Sequence, residues 1–112
     1  MKIINKIQQW DSHYNVLFTM INNDDIIGQA TIEYSDGFIK LQGIYIYPEY
    51  RENGYFNLLF NALLEYTKNE DKVYLFVRSD NFIIRKYKQA GFKFYKRKQI
   101  NKIKYNWLIK EL

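Results

Sequence analysis

Apolar and polar positions alternate through the first half of the chain in a way that predicts strands. Tyr14 to Ile21 and Ile26 to Tyr34 are rich in Val, Ile, Thr, Phe and Tyr. Asn22-Asn23-Asp24-Asp25 between them supplies turn chemistry, so the two read as a hairpin. Ser35-Asp36-Gly37 makes a second turn, leading into a third antiparallel strand over Phe38 to Tyr47 that Pro48 stops. The opening segment, Met1 to Asn15, is ambiguous: Ile3, Ile4, Ile7 and Trp10 fit either a short helix or a strand.

The period then changes. Phe56, Leu59, Phe60, Leu63, Leu64 and Tyr66 approximate the stripe of an amphipathic helix over about Gly54 to Lys68. Val73 to Val77 is a continuous apolar run, as a central strand covered on both faces would be. Strand, helix and strand here predict a crossover unit with parallel neighbours. A second helix is expected over roughly Asn81 to Gln89, ended by Gly91 in the manner of a left-handed cap. Phe92 to Tyr95 and Ile103 to Ile109 finish as a hairpin. In its last strand Ile103, Tyr105, Trp107 and Ile109 face one way and Lys104, Asn106 and Lys110 the other. That alternation predicts a core side bearing the aromatics and a solvent side bearing the lysines. The sum is an α+β fold: a mixed, mostly antiparallel sheet of about six strands, with one parallel pair and two main helices.

Composition narrows the class. With 112 residues and 47% hydrophobic content, the chain is expected to form one domain spanning 1–112. Zero cysteines exclude disulfides and thiolate chemistry. No stretch approaches the roughly 20 apolar residues that span a bilayer, so a cytoplasmic protein is expected, without membrane or metal partners. The net charge of +5 is unevenly spread. Through Ile84 there are 7 Lys/Arg and 11 Asp/Glu, or −4; from Arg85 onward there are 10 Lys/Arg against Glu111 alone, or +9. Such asymmetry suits a partner carrying several phosphates, whether a cofactor or a nucleic acid, and also suits a solvated basic face.

The candidate chemistry centres on Ile44-Tyr45-Ile46-Tyr47-Pro48-Glu49-Tyr50-Arg51-Glu52-Asn53-Gly54-Tyr55-Phe56. A strand ends at proline, an arginine- and glycine-bearing loop follows, and a helix begins. The free N–H groups and the macrodipole of such a helix start favour an anion. No Gly-Lys-Ser/Thr triplet follows Gly54 and only one glycine is present, so neither a triphosphate P-loop nor a dinucleotide fingerprint fits.

The order of strand, Pro-x-x-Arg-x-x-Gly loop, amphipathic helix, buried strand and second helix resembles the GNAT superfamily of acyl-CoA-dependent N-acyltransferases. Arg51-Glu52-Asn53-Gly54-Tyr55-Phe56 lies on that family's Arg/Gln-x-x-Gly-x-Gly/Ala signature. Tyr87-Lys88-Gln89-Ala90-Gly91-Phe92 lies on its Tyr-x-x-x-Gly-Phe segment. The resemblance implies that Arg51, Glu52, Asn53, Gly54, Tyr55 and Phe56 cradle the pyrophosphate of acetyl-CoA. It further implies that the pantetheine runs beside Ile44, Tyr45 and Ile46 in a cleft between splayed strands, and that a backbone N–H near Ile46 stabilises the oxyanion. Tyr87 would protonate the departing thiolate, a task suited to a phenol of ordinary pKa near 10.

Four departures accompany the likeness. Phe56 replaces a small residue, and Asp80 stands where an asparagine is common, with Asn81 one residue late. The chain leaves little room for helices between its first strands, so the cover over the acceptor is expected to be reduced or absent. Gln42 stands near the position of a glutamate base, which leaves Glu33, then Glu49 and His13, as candidates to accept the amine's proton.

The expected activity is acetyl transfer from acetyl-CoA to a primary amine by direct attack. The acceptor is expected to be a protein rather than an enclosed metabolite, unless a homodimer supplies the missing cover. Two alternatives remain at this level: a catalytically degenerate fold that binds a protein partner, and a protein acting on or binding RNA or tRNA through its basic C-terminal hairpin. The second is less favoured because the aromatics are expected to lie in the core, which leaves no stacking platform.

Overall fold

In a computed structural model, residues 1–111 are described. Seven strands form one sheet in the order β1-β2-β3-β4-β5-β7-β6. They are β1 (Lys2–Gln9), β2 (His13–Asn22), β3 (Asp25–Ser35), β4 (Phe38–Ile46), β5 (Lys72–Arg78), β6 (Lys93–Ile100) and β7 (Ile103–Glu111). The ambiguous opening segment is therefore the edge strand β1, paired with β2 from Lys2↔Ile21 to Gln9↔Tyr14. Neighbouring pairs are antiparallel except β4 and β5, which run parallel. A short 3₁₀ turn (Pro48–Tyr50), helix α1 (Tyr55–Tyr66) and helix α2 (Ile84–Gln89) complete the elements. Among the described residues no helix lies between β1 and β2; Trp10 to Ser12 simply turn the chain.

The sheet buries one side. Register places Val16, Ile32, Leu41, Leu75 and Leu108 in a row across five strands, each at most 3% exposed. Helix α1 covers this side with Leu59, Phe60 and Leu63, the i, i+1, i+4 positions of its apolar stripe. Its end is closed by Thr67, whose hydroxyl donates to the Leu63 carbonyl at 3.0 Å. Helix α2 is shorter than predicted, because Asn81 to Ile83 form a turn in which the Asn81 Oδ1 accepts from the Ile83 amide. It ends as expected: Gly91 takes φ +101, Phe92 N–H donates to Tyr87 O, and Gly91 N–H donates to Lys88 O.

The face assignment of β7 is reversed from the sequence expectation. Leu108 and Asn106 are the buried positions, and Tyr105, Trp107 and Ile109 lie on the side away from the helices. The period of 2 marks two faces and does not say which one the helices cover. Asn106 is tolerated under the helices because Arg97 Nε reaches its Oδ1 at 3.4 Å.

Candidate acetyl-CoA cleft

Two devices open a slot at the end of β4. Strands β4 and β5 pair only at Lys40↔Tyr74 and Leu41↔Leu75. Beyond them β5 continues against β7 alone while β4 stays with β3. The register between β3 and β4 also slips: Thr31 faces Gln42, but Gln29 faces Tyr45, so β4 carries an extra residue at Gly43-Ile44. Gly43 sits at φ +61, where a side chain is strained. Opposite the bulge, Gly28 lets β4 approach; a Cβ there would stand 2.6 Å from Ile46 Cδ1 and 2.9 Å from the Tyr45 carbonyl. Sequence reading passed over both glycines, although a glycine inside a strand pattern is the usual sign of a bulge or a close approach.

The resulting cleft encloses about 510 Å³. It brings together Ile44, Tyr45 and Ile46 from β4, Arg51, Glu52, Gly54, Tyr55 and Phe56 from the loop and α1, and Asn81 and Tyr87 from the second helical segment. Phe82, Ile83 and Lys86, which sequence reasoning missed, also line it. Phe82 is 89% exposed at the mouth, an unusual cost for an apolar ring. Asn53 is adjacent and exposed, its side-chain amide donating to the Tyr50 and Arg51 carbonyls within the loop. Glu33 is elsewhere: it stands on β3 opposite Lys40, on the side away from the helices, and does not line the cleft. Glu49 lies on the exposed 3₁₀ turn, and His13 stacks on Trp10 at the far end of the sheet, beside a separate depression of about 460 Å³.

The start of α1 is built for an anion. Gly54 takes φ +78 at the N-cap, no side chain caps the helix, and its first turn holds no acidic residue. The amides of Tyr55, Phe56 and Asn57 therefore lack intrahelical acceptors, at the positive end of a twelve-residue helix. Arg51 braces the loop: its Nε donates to the Ile46 carbonyl at 2.9 Å and its guanidinium lies 5.1 Å from the Tyr45 ring. Phe56 leans onto Phe60 (5.8 Å) and Tyr87 (6.3 Å) with Lys86 over its ring, so it forms part of the wall. Asp80 is held by Arg78 in a two-point ion pair outside the cleft.

Tyr87 is 6% exposed between Phe56, Phe60 and Phe92. Burial pushes its phenol up to about 12, above the ordinary value that the sequence suggested. The reason is desolvation of the phenolate, with no charged neighbour contributing.

Comparison with known proteins identifies the class. Residues 2–92 match the family model described as the acetyltransferase (GNAT) family. Solved structures share the fold. A GNAT family acetyltransferase from Elizabethkingia anophelis with acetyl-CoA bound superposes with a TM-score of 0.75 at 16% identity, covering 88% of this chain and 76% of that one. The ribosomal-protein-S18-alanine N-acetyltransferase from Escherichia coli gives 0.78 at 18% identity, covering 92% and 71%. Arabidopsis thaliana Naa50, solved with a bisubstrate analogue of coenzyme A and a peptide, gives 0.73 at 20% identity, covering 86% and 72%. Among curated proteins none matches in sequence. The chain belongs to the GNAT acetyltransferase family, whose fold it shares.

Proposed function

We propose that the chain is an N-acetyltransferase that uses acetyl-CoA and acts on a primary amine of a protein or peptide. The observation carrying this reading is the conjunction of an uncapped, acid-free helix start with a slot between two parallel strands that part after Leu41 and Leu75. The residues fit the cofactor. The amides of Tyr55 and Phe56 at the start of α1 would hold the pyrophosphate, with Arg51 fixing the loop and Lys86 adding positive charge. Ile44, Tyr45 and Ile46 would line the arm, and an N–H at Ile46 would serve as oxyanion donor. When bound, the cofactor supplies an acetyl group activated as a thioester.

The chain's own residues do the rest. Tyr87 holds its proton at Oη throughout the neutral range and would give it to the thiolate as the amine displaces it. Among the described residues no carboxylate besides that of Glu52, in the loop before α1, lines the cleft. Glu33 pairs with Lys40, on the side of the Leu41–Leu75 rung away from the splay, so it is not assigned as the base and the acceptor's proton passes to bulk water. The choice of a protein acceptor rests on the direct β1–β2 turn, which among the described residues adds no helical cover that would enclose a small substrate.

Calorimetric titration with acetyl-CoA tests the reading, followed by thiol release with N-terminal peptides and with spermidine. Binding with turnover of peptides supports it. No heat at millimolar cofactor ends it, and binding without thiol release from any amine favours a degenerate, partner-binding member of the family.

A further inference from the structure

The side of the sheet away from the helices carries six aromatic rings in one contiguous patch. Phe38 stacks on Tyr74 with centroids 4.5 Å apart, and Tyr74 meets Tyr95 edge-on at 5.8 Å. Trp107 contacts Phe38 at 5.6 Å and Phe76 at 4.7 Å, and Phe76 stacks on Tyr105 at 4.7 Å. Both helices pack against the other side, through Leu59, Phe60, Leu63 and Tyr87, so among the described residues no helix covers these rings, of which Tyr95 is exposed and the other five are half-buried against one another. A contiguous apolar surface of this kind marks an interaction site.

Charge indicates what it binds. Lys40 Nζ lies 5.7 Å from the Trp107 ring and Lys96 Nζ 5.6 Å from that of Tyr95. Lys96 and Lys98 stand opposite Trp107 and Tyr105 in register, about 7 Å apart along the strand. Among the described residues only Lys68 and Arg78 form ion pairs, so these three lysines have no carboxylate partner. The acids on this side, Glu33 beside Lys40 and Glu111 at the end of β7, leave a cationic excess. A second copy docked by two-fold symmetry would set this cationic face against the same cationic face. A duplex would offer phosphates but keep its bases stacked inside, leaving the rings without partners.

We propose that this aromatic, lysine-bearing face binds single-stranded RNA, with phosphates on Lys40, Lys96 and Lys98 and bases against Tyr95, Tyr105 and Trp107. Ribose 2′-hydroxyls have partners in the phenols of Tyr74, Tyr95 and Tyr105; the only tyrosine hydroxyl bonded within the described residues is that of Tyr47. The proposal is independent of acetyl transfer, since binding is measured without cofactor.

The test is fluorescence anisotropy of a labelled oligouridylate of about 12 nucleotides, with oligothymidylate, an RNA duplex and an acidic polypeptide as competitors. The expected result is saturable binding to the RNA, competed less well by the other three. A plot of log affinity against log salt should have a slope of about −2, as three phosphate contacts require. Lys96→Glu combined with Lys98→Glu, both exposed on β6, should weaken RNA binding by at least about tenfold and leave acetyl-CoA affinity unchanged. Trp10→Phe leaves Trp107 as the only tryptophan, and oligouridylate should quench its emission. Absence of RNA binding, equal or better competition by the DNA, the duplex or the polypeptide, or a dimer that the double variant dissociates would each overturn the proposal.

Discussion

At the residue scale the cleft turns on Tyr87. A phenol buried among three aromatic rings and raised to about 12 is fully protonated at neutral pH. Tyr87→Phe is therefore expected to lower kcat by roughly 10²-fold, with KM for acetyl-CoA within about twofold. Stopped thiol-release assays separate the two, and an unchanged kcat would remove Tyr87 from its role. The same shift has a stability consequence. The folded pKa lies above the unfolded value of 10, so the native state binds the proton more tightly between the two. Stability is retained below pH 10 and lost as pH climbs toward 12. Urea unfolding at pH 9 and 11 should show wild type losing about 1 kcal/mol more than Tyr87→Phe. Tyr34, also raised by burial, contributes to the wild-type slope in the same direction and stays in both proteins.

At the element scale, β4 is shaped by two glycines that the apolar pattern hides. Gly28→Ala would drive a methyl into a backbone carbonyl and the Ile46 side chain, both at the cleft wall. It is expected to cost about 1–3 kcal/mol of stability and to weaken acetyl-CoA binding, read by thermal melting and calorimetry. The β6–β7 turn offers the opposite case. Asn101 and Lys102 both have positive φ, and Lys102 at +68 adopts a conformation that glycine takes without strain. Lys102→Gly should raise stability by about 0.5–1 kcal/mol in chemical denaturation. The hairpins and the strand–loop–helix unit were readable from turn residues and from the switch of period between Tyr47 and Phe56. What the pattern could not convey is sidedness. Aromatics at alternate positions of β7 read as core, yet across strands Tyr105 stacks on Phe76 and Trp107 packs tilted against it, which is how a face without helices gathers rings.

At the scale of the whole molecule, the row Val16, Ile32, Leu41, Leu75 and Leu108 joins the two halves of the sheet beneath one helix layer. Leu41→Ala removes its centre, at 0% exposure, and should cost about 3–4 kcal/mol. That is expected to appear as a fall in Tm of 10 °C or more by calorimetry. Family membership was legible in the order of two short motifs, because backbone amides at a helix start and a tyrosine before a Gly-Phe cap are local devices. The register of β1, the Gly43 bulge and the position of Glu33 depend on long-range pairing, and no local pattern encodes them.

The meagre rungs between β4 and β5 carry one more implication. Two sub-sheets stitched at only Lys40–Tyr74 and Leu41–Leu75 form a natural seam, and anything threaded into that seam replaces partners the strands deny each other. A bound pantetheine arm would thus act as mortar as well as cargo. Amide hydrogen exchange at Tyr45, Ile46, Phe76 and Val77 should slow when the cofactor is added, far more than at the hairpin of β2 and β3.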